Sequence, residues 1–172
     1  FDAIIGNPPF LGGKKLTGAM GTGMRDWFVH QLADGARGNA VLVAYFLLRA
    51  HRLLRSDGNF GLIATNTVAQ GDTREVGLAQ LVAKGVELTR AVQSAPWPAA
   101  SANLEYAAVW GGRGQVAQAA QRVVNGIPAP RIATLLEPAG RVDGRPARLA
   151  ENAGSAFIGC YVPVWDSCSI PR

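Results

Sequence analysis

The chain contains few of the residues that mark several classes of protein. Only two cysteines, Cys160 and Cys168, occur among its 172 residues. Their spacing fits neither a zinc site nor a redox motif, so we predict free thiols and no metal centre. No apolar run approaches the length that spans a bilayer, and nothing resembles a signal peptide. These absences favour a cytoplasmic protein with no membrane partner.

Acidic residues are also in the minority. Lys and Arg together number 17 against 12 Asp and Glu, which gives a formal charge of +5. A modest basic excess favours a polyanionic partner without establishing one. Hydrophobic residues make up 48% of the chain, which is enough for the core of one ordinary globular domain.

The most informative motif is Asn7-Pro8-Pro9-Phe10, which directly follows a short apolar run. We interpret the run as a buried strand that stops abruptly, and ligands of open α/β sheets bind at the carboxyl ends of strands. The Asn7 amide oxygen can accept from an amino group, and Pro9 restricts Pro8 so that its carbonyl is held rigidly. Phe10 offers a flat face for stacking. The motif therefore suits a planar aromatic amine, although an ordinary strand-ending turn also explains it.

The remaining pattern alternates strands and helices, which predicts an α/β sheet. The apolar runs predict strands at residues 1–6, 59–64, 86–93 and 104–110. Helical spacing predicts helices at residues 24–33, 39–55, 72–85 and 115–124, with His30 and His51 on helix surfaces. Residues 7–23, rich in glycine, are predicted to form a long loop.

Four segments beyond the tetrapeptide resemble one family of enzymes. They are residues 12–18, 44–50, 61–67 and 69–75, the last of which reads Ala-Gln-Gly-Asp-Thr-Arg-Glu. Together with the tetrapeptide they are similar to the MmeI-like restriction–modification enzymes, which fuse a nuclease, an adenine-specific DNA methyltransferase and a target-recognition domain. The resemblance covers roughly residues 1–160.

The resemblance implies an α/β fold, namely the Rossmann-like sheet of S-adenosylmethionine-dependent methyltransferases, with only its C-terminal half present. It implies S-adenosyl-L-methionine as cofactor and double-stranded DNA as partner. Asn7, Pro8, Pro9 and Phe10 would be catalytic: Asn7 and the Pro8 carbonyl would hold the adenine amine, Phe10 would stack on the flipped base, and Asn7 would also border the cofactor. A glycine-rich cofactor loop should precede this strand in the family. The chain lacks it, so we expect a fragment without the N-terminal half of the domain.

Four further residues are candidates for substrate binding. Lys14 and Lys15 could meet DNA phosphates, or simply be solvated. Thr65 and Asn66 end the second predicted strand and could line the base pocket, or cap the next helix. We expect residues 1–114 to form the C-terminal half of the catalytic domain, and residues 115–172 to be a linker and the start of the target-recognition region.

Two other functions remain open at this point. Similar tetrapeptides occur in methyltransferases that act on RNA guanine amines or on glutamine amides of proteins. The chain could also be a non-catalytic DNA-binding remnant that cannot hold cofactor.

Overall fold

Six strands form one mixed sheet in the part of the chain that the structure describes. The computed structural model describes residues 1–98 and 104–138. Its strands are β1 Ala3–Gly6, β2 Asn59–Ala64, β3 Glu87–Pro96, β4 Glu105–Gly112, β5 Arg122–Val124 and β6 Ile127–Ala129. Within these ranges the strand order is β1-β2-β4-β3-β5-β6. The β1–β2 and β3–β5 pairs are parallel and the others are antiparallel, so the predicted α/β fold is confirmed.

The helices connect these strands. They are α1 Gly13–Trp27, α2 Leu42–Leu53, α3 Gly71–Arg74, α4 Gln80–Ala83 and α5 Gly114–Ala119. A π-helical turn at Phe28–Leu32 extends α1, and a second at Glu75–Ala79 joins α3 to α4. The four-residue 3₁₀ turn Asn66–Ala69 follows β2.

The core lies between one face of the sheet and the helices. Phe60, Leu62 and Val109 point from β2 and β4 into the same cluster as Val43 and Leu47 of α2. Burying side chains of this size contributes about 1.5–3 kcal/mol each. Side chains from both halves of the sequence therefore form one apolar layer between the sheet and the helices.

The other face of the sheet is more open near β1. Ile5 is 84% exposed and shares this face with Gly61 and Trp110 by register. A Cβ at position 61 would come within 2.6 Å of the Trp110 ring, so the missing side chain makes room for the indole. Arg90 lies over that ring, 5.8 Å from its centroid.

The loop predicted at residues 7–23 is wrong beyond its first residues, because α1 begins at Gly13. A side chain at Gly13 would collide with the carbonyl of Asn39, so this glycine serves close packing. Gly21 does interrupt the helix, with φ of 81°. Glycine content indicated a loop here, whereas tertiary contacts stabilise a kinked helix.

The helix predicted at residues 115–124 is also too long. The chain leaves α5 at Ala119 and enters β5, whose Val123 and Val124 pair with Arg90 and Ala91 of β3. An ion pair of 3.2 Å between Arg122 and Glu87 accompanies this pairing. The sheet thus continues beyond residue 114, while the division into regions 1–114 and 115–172 stays a prediction. Cys160 and Cys168 lie outside the described residues.

Candidate functional site at the carboxyl end of β1

The tetrapeptide Asn7-Pro8-Pro9-Phe10 leaves the sheet where β1 ends at Gly6. Since β1 and β2 are parallel, Thr65 emerges from β2 at the same edge. Pro8 is buried, whereas Asn7 is exposed. The Phe10 ring is 41% exposed. Pro8 is therefore packed inside the protein, while the side chains of Asn7 and Phe10 are exposed to solvent.

Backbone hydrogen bonds hold the motif in place on its helical side. The Leu11 N–H donates to the Pro9 carbonyl at 3.1 Å, and the Leu42 N–H at the start of α2 donates to the Leu11 carbonyl at 3.0 Å. Within residues 1–98 and 104–138, neither the Asn7 side-chain amide nor the Pro8 carbonyl has a hydrogen-bond partner. The Asn7 amide oxygen and the Pro8 carbonyl are thus free to accept hydrogen bonds from an amine, close to the exposed Phe10 in sequence.

An apolar pocket of about 200 Å³ adjoins the tetrapeptide on the Pro9 side. It lies between α1 with its π-helical turn and α2. Besides Pro9 its lining includes Met20, Trp27, Phe28, Tyr45, Phe46 and Arg49. Phe28 stacks on Tyr45 with ring centroids 4.9 Å apart. Flat walls of this kind accept a planar ring.

Tyr45 contributes to this wall, while its hydroxyl is buried inside the protein. The residue is 1% exposed, and among the described residues its hydroxyl makes no hydrogen bond of regular geometry, although the Arg25 side chain lies close to it. Burial raises the pKa of Tyr45 above the ordinary value of 10.0, against the opposing positive charge of Arg25. The hydroxyl is therefore neutral and able to donate.

Sequence reasoning did not find this pocket. Phe46 is 41% exposed on a helix whose neighbouring residues Tyr45 and Leu47 are buried. An aromatic residue on the outer side of a buried helix, close in sequence to Arg49, is the signal that could have identified it.

Thr65 and Asn66 lie at the predicted edge, but Asn66 is engaged with the protein itself. Its amide nitrogen donates to Ser94 and Glu105, both at 3.1 Å, and its amide oxygen accepts from the Ser94 N–H at 3.0 Å. Thr65 and Thr67 share a hydroxyl–hydroxyl hydrogen bond of 2.6 Å. The hydrogen bonds of Asn66 thus connect the end of β2 to Ser94 of β3 and Glu105 of β4.

Lys14 and Lys15 are exposed in the first turn of α1, not in a flexible loop. Neither forms an ion pair with another residue of the described ranges. Both ammonium groups are thus available to an external anion.

Residues 1–98 and 104–138 include no group of three or more His, Cys, Asp or Glu side chains placed to hold a metal ion. None of the helices in that part of the chain has the length and apolar character to cross a membrane.

Comparison with one solved structure supports the fold. The type IIL restriction-modification enzyme MmeI, solved in complex with DNA, superposes with a TM-score of 0.64 and 21% sequence identity over 81% of this chain. The chain spans only 20% of the MmeI chain. A type I restriction-modification methyltransferase subunit from Streptococcus thermophilus has a TM-score of 0.43 and 14% identity, over 67% of this chain and 24% of its own.

Sequence comparison identifies the family. Among curated proteins, none matches the chain. The family model of the Eco57I restriction-modification methylases matches residues 1–90, which include β1, the tetrapeptide, α2 and β2. That match covers more than half of the chain and agrees with the family type that the sequence predicted. The chain belongs to the Eco57I restriction-modification methylase family.

Proposed function

We propose that this chain forms the amine-binding part of an enzyme that transfers a methyl group from S-adenosyl-L-methionine to the exocyclic amine of adenine in double-stranded DNA, within a restriction–modification system. The observation that carries the proposal is the pair of unpartnered acceptors, the Asn7 amide and the Pro8 carbonyl, beside the exposed Phe10 ring. Family membership supports methyl transfer, and the restriction–modification setting supports DNA as substrate.

The chain's own residues act by positioning. With its amine between Asn7 and Pro8, the base donates both amine hydrogens, which disfavours delocalisation of the nitrogen lone pair into the ring. Phe10 stacks on the base, which must leave the duplex at a cost of a few kcal/mol. Orientation and preorganised acceptors then supply the catalysis, and no covalent intermediate with the protein is required.

The residues around Pro9 fit the adenine ring of the cofactor. The pocket there is almost wholly apolar, has Phe46 and Tyr45 among its walls and adjoins the tetrapeptide at Pro9. When bound, S-adenosyl-L-methionine supplies an electrophilic methyl group on its sulfonium sulfur. Asn7 and Pro9 would border it, while β1 and the exposed Ile5 form an open sheet edge where a further cofactor-binding part could pack.

The test is Asn7→Ala in the complete enzyme, meaning this chain joined to a glycine-rich cofactor-binding part. We expect methyl transfer to fall roughly a hundredfold or more, as for the loss of other preorganised polar groups. Folding should be nearly unchanged, because Asn7 is exposed. Gln118→Ala, which removes another exposed amide on α5, is the matched control and should keep full activity.

The product is identified by mass spectrometry of nucleosides from methylated duplex DNA. N6-methyladenine in the wild type and its loss in Asn7→Ala would support the proposal. Methylated cytosine amines would contradict the adenine specificity, and unchanged adenine methylation by Asn7→Ala would contradict the role of the tetrapeptide.

A further inference from the structure

A second, larger groove lies against the helix that follows β2 and its 3₁₀ turn. Its volume is about 670 Å³, and three separate parts of the chain line it: residues 36–37, the helix that runs from α3 to α4, and residues 131–134. Each part brings one arginine, namely Arg37, Arg74 and Arg131. Three arginines from distant sequence positions thus line one concave surface.

The arginines differ in how firmly they are held. The Arg74 guanidinium donates a hydrogen bond of 3.0 Å to the Thr134 hydroxyl and is half-buried. Arg37 and Arg131 are exposed, and neither forms a hydrogen bond or ion pair through its side chain with the described residues. Arg74 is therefore held in the wall of the groove, whereas the guanidinium groups of Arg37 and Arg131 are available to a ligand.

Two hydrogen bonds connect this groove to the tetrapeptide. Asp72, which lines the groove, accepts from the Asn39 N–H at 2.7 Å. Three residues later, the Leu42 N–H donates to the Leu11 carbonyl, directly after Phe10. Residues 39–42 are thus hydrogen-bonded to a wall of the groove at one end and to the residue after the tetrapeptide at the other.

Charge in the groove favours an anion with several oxygens. Among the described residues, three arginines and two carboxylates, those of Asp72 and Glu75, line the groove, and an Asp72 oxygen already accepts from the Asn39 N–H. Arginine binds phosphate oxygens through two parallel hydrogen bonds, which makes it the preferred cation for phosphodiesters.

We propose that Arg37 and Arg131 bind backbone phosphates of duplex DNA in this groove, while Arg74 shapes the groove between them. This inference rests on the proposed function, since it assigns a second contact surface to the same DNA. The phosphate contacts position the duplex relative to Asn7 and carry no sequence information.

The experiment measures binding of a fluorescently labelled duplex to the whole chain by anisotropy, starting at about 20 mM salt, where phosphate contacts are strongest. Arg37→Ala combined with Arg131→Ala should reduce the salt slope of log K by about two, and lower affinity equally on unrelated sequences. Arg37→Lys combined with Arg131→Lys should keep most of the slope and lose part of the affinity, because the charge stays and the fork is lost.

The matched control combines Arg55→Ala with Arg90→Ala. Arg55 pairs with Asp2 at the opposite end of β1, and Arg90 covers Trp110 on the other face of the sheet. This control removes the same charge and should keep the wild-type slope. Thermal unfolding by circular dichroism checks that every variant is folded.

A wild-type slope in the Arg37/Arg131 alanine variant overturns the inference, as does an equal loss in the Arg55/Arg90 control, which would show a general effect of net charge. An equal loss on single-stranded DNA or RNA overturns the assignment to duplex. Failure of the wild-type chain to bind duplex DNA at low salt also overturns the inference that this groove binds DNA. If Asn7→Ala abolishes methylation while the groove variants bind normally, the groove is rejected and the proposed function stands.

Discussion

The Arg25 guanidinium donates a hydrogen bond of 2.6 Å to the Gly38 carbonyl. A longer bond of 3.5 Å reaches the Gly13 carbonyl. Arg25 lies in the last turn of α1, whereas its two acceptors lie at the start of α1 and shortly before α2. One side chain therefore closes the segment between the tetrapeptide and α2 into a compact unit.

We predict that Arg25→Leu lowers the free energy of unfolding by about 1–3 kcal/mol, the usual effect of removing hydrogen bonds to a charged group. Urea unfolding followed by circular dichroism measures the change. Arg37→Leu is the control: Arg37 lies in the same region but is exposed, so we expect less than about 0.5 kcal/mol. Equal destabilisation by both variants would contradict the role of Arg25.

This contact also explains why most of the loop predicted at residues 7–23 is instead a helix. Five glycines at positions 12, 13, 18, 21 and 23 favour a loop by local propensity. The helix forms because Gly13 fits against Asn39 and Arg25 reaches Gly38. Both are contacts between residues more than ten positions apart, which neither composition nor periodicity reports.

Strands and buried helices were more predictable, since their patterns are local. β2 occupies residues 59–64 as predicted, and the helix predicted at residues 39–55 contains α2, at Leu42–Leu53. The tetrapeptide could be placed because its strand ends directly before Asn7. The pocket beside Pro9 and the arginine groove each combine residues from two or three distant segments, so only the fold assembles them.

Thr73 supplies a second test of how the start of α2 is held. Asp72 and Thr73 stand at the start of α3 with side-chain oxygens that suit an N-cap, yet no side-chain hydrogen bond caps α3. Instead, the buried Thr73 hydroxyl accepts from the N–H of Val41, the residue before α2, at 3.1 Å. Thr73→Val should cost about 1–2 kcal/mol, because a partly buried N–H loses its acceptor.

Urea unfolding of Thr73→Val and Thr73→Ser measures this contribution, since serine retains the hydroxyl. Thr67→Val provides a matched control, because the Thr67 hydroxyl pairs with Thr65 at an exposed site. A change below about 0.5 kcal/mol is expected there. Equal loss in Thr73→Ser and Thr73→Val would show that the hydrogen bond is not the cause.

His51 is buried at 8% exposure, so our prediction of a surface histidine is wrong. Burial lowers its pKa below the ordinary 6.5, and the nearby charges of Arg113, Lys84 and Arg52 lower it further. Below pH 6.5, His51 is therefore protonated in the unfolded chain but stays neutral in the folded chain until the pH falls to its lower folded pKa. Stability is retained above this pH and falls as the pH drops toward the folded pKa.

Urea unfolding at about pH 7.5 and about pH 5.5 tests this linkage. His51→Leu should lose less stability between the two pH values than the wild type does. His30→Leu, at an exposed position, should behave like the wild type. A wild-type pH dependence in His51→Leu would show that other groups cause the acid destabilisation.

Lys14 and Lys15 give the last prediction, which concerns DNA binding by the whole chain. Both are exposed on the first turn of α1, and alanine preserves a helix. Replacing both by alanine should weaken duplex binding similarly on every sequence and flatten its salt dependence, as expected when phosphate contacts are lost. Arginine at both positions should keep the salt slope, since the charge remains. If the alanine variant lost binding to one short sequence alone, these lysines would contribute to base recognition, because phosphate contacts cannot distinguish sequences. If the wild type bound one short site tightly at high salt, sequence recognition would lie within this chain.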